Sequence, residues 1–151
     1  MPGDVHVKKG SEINAPSGAQ TEGMVRMNAI TDMSDQVCGT GEYLGTRYGT
    51  YTETAHRILT MKVMIAKPHS ASAVHHHGEE DTIVYAASGH GAIIWGPDGS
   101  NRQELAPGDF ALIPAYAEHQ EVNDTDSEVK WIITRGGRNP IVHNLDGWGK
   151  S

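Results

Sequence analysis

The sequence predicts an all-β fold, an antiparallel sandwich or barrel, and three features of its 151 residues support that prediction. Apolar residues recur at every second position in several short segments, which is the period of a strand with one buried face. Glycine and proline are frequent, with 18 and 7 copies, and they separate these segments at short intervals. No long segment keeps the 3.6-residue period of an amphipathic helix. The chain length suits one compact domain.

In chain order, the first segments are a polar arm, a strand and a loop. Residues 1–23 are polar and rich in small residues. We expect them to form an N-terminal arm, and residues 24–151 to form the single domain. MVRMNAI (24–30) is the first predicted strand. The segment 38–51 contains four glycines and three tyrosines and is predicted to be a long loop.

The remaining strands follow from residue 56 onwards. HRILTMKVMIAKP (56–68) alternates most clearly and ends at its proline. TIVYAA (82–87) and GAIIW (91–95) flank a short SGH connection and are interpreted as a pair. In LAPGDFALIPA (105–115) a Pro-Gly turn precedes an apolar strand, because proline sets φ at the second turn position and glycine accepts a positive φ at the third. The series ends with HQEVND (119–124), VKWIITRG (129–136) and PIVHNL (140–145).

Charge and composition argue against several classes of protein. The formal net charge is −7, and the largest cluster of basic residues is Lys8–Lys9. We therefore expect neither nucleic acid nor an anionic membrane surface as a partner. The one cysteine, Cys38, cannot form an intrachain disulfide. The N-terminus has no apolar core of a secretory signal, and no apolar run approaches the roughly 20 residues of a membrane span. These features predict a cytoplasmic protein.

The segment AVHHHGEED (73–81) places three consecutive histidines before three acidic residues. On an extended strand, His75 and His77 share one face while His76 points to the other. Two imidazoles at this spacing can converge on one metal ion. His119 is the third candidate ligand, because an antiparallel barrel brings distant strands together. The alternative interpretation is a solvated, histidine-rich loop.

A carboxylate would complete such a site. The candidates directly follow the histidines and are Glu79, Glu80 and Asp81. Imidazole and carboxylate ligands suit Fe(II), Mn(II), Ni(II), Co(II) or Zn(II). A site with three protein ligands and open positions is usually catalytic.

These spacings resemble the two sequence motifs of the cupin family. The first motif, G(X)5HXH(X)3,4E(X)6G, is matched here by His75, His77 and Gly89. The second motif, G(X)5PXG(X)2H(X)3N, is matched by Gly108, Pro114, His119 and Asn123. The resemblance extends over roughly residues 55 to 135. It implies a cupin-type antiparallel β-barrel of the jelly-roll type, with one metal ion inside.

Several positions depart from the family motifs. His69 stands where the first motif begins with glycine, and Tyr116 stands at a glycine of the second. The glutamate position falls on Asp81 when counted from the HXH triplet with the shorter gap, and on Thr82 when counted back from Gly89. Side chains one residue apart on a strand point to opposite faces. Asp81 is therefore the predicted carboxylate ligand if the strand is bulged or begins after it. Glu80 is the next candidate, and three histidines with water are the third.

The residues and the resemblance lead to three hypotheses. The first is a metal-dependent enzyme that binds a carbonyl or enol oxygen of a small or medium oxygenated substrate and catalyses isomerisation, dehydration, decarboxylation or cyclisation without redox change. The second is a non-haem dioxygenase, and the third is a non-catalytic cupin that binds a small molecule.

Under the first hypothesis each site residue has a role. One divalent transition metal ion (Fe, Zn, Mn or Ni) is bound by His75, His77, Asp81 and His119. Glu80 or Tyr116 moves a proton. The resemblance also implies a homodimer, for which the polar arm and Trp148 are candidate docking elements.

Overall fold

The computed structural model describes residues 9, 11, 16–19, 21–30, 39–42, 56–136 and 141–150. Strands dominate these residues, apart from a short 3-10 turn at Pro97–Gly99. The strands are β1 (Pro16–Ala19), β2 (Met24–Ile30), β3 (Gly39–Glu42), β4 (His56–Ala66), β5 (Ser70–Ala71), β6 (His75–His76), β7 (Thr82–Ser88), β8 (Gly91–Trp95), β9 (Asn101–Leu105), β10 (Phe110–Ile113), β11 (His119–Asn123), β12 (Val129–Gly136) and β13 (His143–Asn144). In the part of the chain so described, no helix is long and apolar enough to cross a membrane.

The strands form two antiparallel sheets, which confirms the predicted all-β jelly-roll architecture. The seven-stranded sheet has the order β1-β2-β4-β12-β7-β10, and β3 also pairs with β4. The six-stranded sheet has the order β13-β6-β11-β8-β9, and β5 also pairs with β11. Most neighbours in these sheets are distant in sequence, so the fold depends on long-range pairing.

The predicted pairing of the segments 82–87 and 91–95 is wrong. β7 pairs with β12 and β10 in the seven-stranded sheet, whereas β8 pairs with β11 and β9 in the six-stranded sheet. The connection between them therefore passes from one sheet to the other. Gly89 permits this passage with φ of 75°, and a Cβ there would lie 2.5 Å from the carbonyl oxygen of Glu128. A side chain at this position would clash with the start of β12.

Two other segments also differ from their predictions. Residues 39–42 of the predicted loop form β3, which pairs with the first half of β4. The rest of that loop, residues 43–51, lies outside the described residues. Within the predicted arm, Pro16–Ala19 forms β1 against β2.

The hydrophobic core lies between the two sheets. Its fully or nearly fully buried members come from several strands and are Met24, Met64, Ala66, Val84, Ala86, Ile93, Leu105, Ile113, Val129, Trp131 and Ile133. Trp131 is the largest, and its ring packs on the backbone of Gly91 so closely that a Cβ there would lie 2.3 Å from Cζ2. Burying an aromatic ring of this size stabilises the fold by roughly 3 kcal/mol.

The C-terminal segment 141–150 closes the edge of the six-stranded sheet. β13 pairs with β6, and the amide of Leu145 donates a hydrogen bond to the carbonyl of Val74 at 2.8 Å. Trp148 packs against Gly99, where a Cβ would lie 2.8 Å from the indole. The Trp148 ring therefore contacts its own chain, and its role in docking a neighbouring subunit stays a prediction.

Candidate metal centre

Four side chains converge inside the fold on the inner face of the six-stranded sheet. His75 lies on β6, directly opposite His119 on β11. His77 follows β6 by one residue, and Glu121 lies two residues beyond His119. All four are buried, with at most 1% of the residue exposed. One ligand atom from each lies within 4.8 Å of the others.

Backbone contacts orient two of the imidazoles. Nδ1 of His75 lies 2.8 Å from the carbonyl oxygen of Ala73, and Nδ1 of His119 lies 2.8 Å from that of Ala117. A carbonyl oxygen only accepts hydrogen bonds, so Nδ1 carries the hydrogen in both rings. In a neutral ring, the Nε2 lone pair then points into the cluster. Nε2 of His119 is buried, makes no hydrogen bond within the described part of the chain, and lies 3.7 Å from Glu121 Oε1.

The third imidazole is oriented by side chains. Nδ1 of His77 lies 2.6 Å from Thr82 Oγ1, and its Nε2 lies 2.8 Å from Nη2 of Arg135. Because a guanidinium only donates hydrogen bonds, Nε2 of His77 must accept this one. Burial lowers the pKa of His77 far below 6.5, and the positive charge of Arg135 lowers it further. His77 is therefore neutral in the folded protein.

The donor set fits a divalent transition metal. Nε2 of His75 and Nε2 of His77 lie 3.1 Å apart. When both rings are neutral, neither Nε2 carries a hydrogen, so two electron-rich nitrogens lie close together and repel, and a cation bound by both removes that repulsion. Three imidazole nitrogens and a carboxylate are ligands that Fe, Zn, Mn and Ni accept. The buried cluster of His75, His77, His119 and Glu121 is thus able to hold one metal ion.

The structure does not bring Asp81 into this cluster. Asp81 is exposed, and its Oδ1 accepts a hydrogen bond from the amide of Ala115 at 2.9 Å. The inward alternation of β7 begins one residue later, at the fully buried Thr82. The two possible positions for the motif's glutamate therefore point to opposite faces. The inward-facing position holds Thr82, which orients His77 but is not a carboxylate ligand.

Glu121 supplies the carboxylate of the cluster, and the sequence analysis missed it. The signal was present, because His119 and Glu121 have the same two-residue spacing as His75 and His77. On an extended strand that spacing puts both side chains on one face. Asn123, two residues further on, is also buried, but it binds backbone carbonyls of Ala66, Lys67 and Ser127.

The two predicted proton-transfer residues lie in different environments. Glu80 is 8% exposed, and its Oε2 accepts a hydrogen bond from the amide of Ile141 at 3.2 Å. Desolvation raises the pKa of Glu80, while the backbone hydrogen bond from Ile141 and the charges of Arg135 and Lys62 oppose that rise. Glu80 is thus a second carboxyl group close to Arg135, outside the group of four.

Tyr116 lies away from the cluster. Its side chain is 66% exposed, and its ring centroid lies 6.0 Å from that of His76, the one histidine of the triplet that is not in the cluster. Its backbone adopts φ of 59°, the left-handed region that a glycine occupies without strain. His69, where the first motif has glycine, likewise has φ of 54°. The chain keeps the backbone turn at both positions without the glycine.

Arg135 is the other site residue that the sequence analysis missed. On β12 the buried positions are Val129, Trp131, Ile133 and Arg135, so its strand alternation directs the guanidinium inward. Arg135 is 2% exposed, and its Nη1 donates a hydrogen bond to the carbonyl of Ile141 at 2.9 Å. A permanent positive charge therefore lies buried beside the cluster.

Comparison with known proteins identifies the domain. The family model for the cupin domain matches residues 62–135. No curated protein matches the chain. The matched segment contains all four residues of the cluster and Arg135.

Three solved structures illustrate the similarity in fold. The polyketide cyclase RemF from Streptomyces resistomycificus has a TM-score of 0.66 at 16% identity, covering 99% of this chain and 89% of its own. KdgF from Halomonas sp. has a TM-score of 0.60 at 14% identity, covering 89% and 96%. A sugar phosphate isomerase of the cupin superfamily from Silicibacter pomeroyi has a TM-score of 0.53 at 20% identity, covering 78% of this chain and 62% of its own.

Proposed function

This chain belongs to the cupin superfamily, and we propose from that premise that it is a metal-dependent enzyme that acts on an oxygenated organic substrate without redox change. The observation that carries the proposal is the buried cluster of His75, His77, His119 and Glu121, whose ligand atoms lie within 4.8 Å of one another. Isomerisation, cyclisation, dehydration and decarboxylation next to a carbonyl group can each proceed through an enolate, which carries negative charge on an oxygen. A bound divalent metal would supply Lewis-acid stabilisation of that charge.

The chain's own residues support such chemistry in separate ways. Ala73, Ala117 and Thr82 fix the ring orientations of the three histidines, as partners of metal-bound histidines commonly do. The buried side chains exclude water, which strengthens electrostatic interactions at the site. Glu80 is the candidate for moving a proton, because desolvation brings the pKa of its carboxyl group closer to neutrality.

Two of the structural neighbours are consistent with this class of reaction. One is named as a polyketide cyclase and the other as a sugar phosphate isomerase. Cyclisation and isomerisation are both among the reactions proposed for this chain. Because the identities are 16% and 20%, the neighbours support the fold, and the proposed chemistry rests on the cluster itself.

Metal binding tests the proposal directly. We would purify the wild-type chain without chelator and measure its metal content by elemental analysis. A second sample would be stripped of metal with a chelator, freed of the chelator and titrated with Co(II). Glu121→Gln keeps the size of the side chain but removes its charge, and we expect it to weaken metal affinity by more than about tenfold. Asp81→Asn is the matched control, because it makes the same change at an exposed carboxylate outside the cluster. Equal affinities in the wild type and Glu121→Gln would overturn the assigned ligand set.

A second measurement tests the class of reaction. Enolate formation on a small 2-oxo acid such as pyruvate is detected by NMR as exchange of its methyl protons for deuterium. We expect exchange by the metal-loaded protein under strict exclusion of dioxygen, and less exchange by Glu80→Gln. In a parallel assay in air, consumption of dioxygen coupled to loss of substrate would instead identify a dioxygenase. That is the second candidate function, since three imidazoles and a carboxylate also suit Fe(II).

A further inference from the structure

Arg135 is placed where it competes with a metal for one atom. Its Nη2 donates to Nε2 of His77 at 2.8 Å, and that nitrogen has a single lone pair. A metal ion bound by the cluster would take the same lone pair. The guanidinium hydrogen bond to His77 and metal ligation by His77 therefore exclude each other.

The rest of the side chain keeps Arg135 in place when this exchange occurs. Its Nη1 donates to the carbonyl of Ile141, and the amide of the same residue donates to Glu80. The residue is 2% exposed, so its Nη2 group stays in the buried space beside the cluster. A guanidinium N–H in such a place binds an acceptor with a negative charge best.

The charges around the cluster also favour an anion. A divalent metal and Arg135 are both positive, and Glu121 is the one carboxylate in the group of four. Around the group, the nearby charges are those of Glu80, Glu79 and Lys62, and with both carboxylates ionised they offset only one of the positive charges. The loaded centre would have an excess of positive charge in a desolvated space, which an anionic ligand neutralises.

We propose that Arg135 is a substrate-binding residue that recognises a carboxylate group next to the metal-binding oxygen, so that the substrates are small oxygenated carboxylic acids. This inference rests on the proposed function, because it places the carboxylate beside a metal held by the cluster. A guanidinium matches a carboxylate because its planar N–H groups pair with the two oxygens. When a metal takes the lone pair of His77, the Nη2 group of Arg135 would donate instead to the substrate carboxylate, while Nη1 keeps its hydrogen bond to Ile141.

The test compares a carboxylate with its neutral ester on Co(II)-loaded protein. We would titrate pyruvate and methyl pyruvate into the wild type, Arg135→Gln and Arg135→Lys, and follow binding by the visible spectrum of Co(II) and by calorimetry. Arg102→Gln is the matched control, because it removes the same charge from a side chain that is 39% exposed and pairs with Glu104 and Asp124.

The metal itself binds the anion pyruvate better than the neutral ester. The informative quantity is therefore how the ratio of the two affinities changes when Arg135 is substituted. We expect Arg135→Gln to reduce the ratio of pyruvate to methyl pyruvate affinity by about tenfold or more. Arg135→Lys should retain part of the ratio, and Arg102→Gln should retain all of it. Co(II) affinity in Arg135→Gln should stay the same or rise, because a positive charge beside the metal has been removed.

Each outcome is decisive. An unchanged ratio in Arg135→Gln overturns the inference while leaving the proposed function intact. If Arg135→Gln does not fold, the same comparison is made with Arg135→Lys, and an unchanged ratio there has the same consequence. Failure of the wild type to bind Co(II) overturns the proposed function, and this inference with it.

Discussion

His77 should make the stability of the metal-free protein depend on pH. Its ring is 1% exposed and accepts a hydrogen bond from Arg135, and both effects lower its pKa in the folded state below the ordinary value of 6.5. The unfolded chain therefore binds a proton at this residue below about pH 6.5, while the folded protein does not. The free energy of unfolding must fall as the pH falls.

The size of the effect follows from the difference in bound protons. Each pH unit below 6.5 costs about 1.4 kcal/mol for one histidine that remains neutral in the folded state. Between pH 7.5 and pH 4.5 the total is roughly 2.7 kcal/mol. That is a large part of the 5 to 15 kcal/mol by which a domain is usually stable. Glu80 acts in the opposite direction, because its raised pKa lets the folded state gain stability as the pH falls through that pKa towards 4.5.

Comparison with a variant separates the effect of His77 on stability from that of Glu80 and the other titratable groups. Urea unfolding of chelator-treated wild type and His77→Gln at pH 7.5, 6.5, 5.5 and 4.5 gives the stability difference at each pH. We expect that difference to shift against the wild type by about 1.4 kcal/mol per unit below pH 6.5. The matched control, His90→Gln, changes an exposed histidine and should leave most of the wild-type pH dependence in place. A constant difference between wild type and His77→Gln from pH 7.5 to 4.5 would mean that His77 binds its proton equally well in the folded and unfolded states, and would refute the lowered pKa assigned to its buried ring.

Two further predictions concern the barrel around the site. In urea unfolding, Trp131→Ala should lower the free energy of unfolding by about 3 to 5 kcal/mol, because it leaves a cavity between the sheets. Phe110→Ala, at a side chain that is 69% exposed, is the control and should change it by less than about 0.5 kcal/mol. Tyr116→Gly should alter the free energy of unfolding by less than about 1 kcal/mol, because relief of the left-handed backbone strain offsets the greater flexibility of glycine in the unfolded chain. A much larger loss in thermal unfolding would show that the exposed ring contributes packing.

Spacing along the strands determined part of the site from the sequence alone. A period of two residues places His75 and His77 on one face of a strand, and the same rule applied to β11 places Glu121 beside His119. The prediction of Asp81 as a ligand followed instead from its position shortly after the histidine triplet. That position faces outward, because the inward alternation of β7 begins at Thr82.

The tertiary structure decided which strands pair and which of their side chains meet inside the barrel. The register of β6 against β11 puts His75 opposite His119, and the inward alternation of β12 brings Arg135 to His77 across 58 positions of sequence. The passage of the chain from one sheet at β7 to the other at β8 was likewise decided by pairing with strands elsewhere in the fold. Spacing along a strand follows from backbone geometry and is visible in sequence, whereas pairing between distant strands depends on the burial gained when the whole barrel closes, and no single segment encodes that.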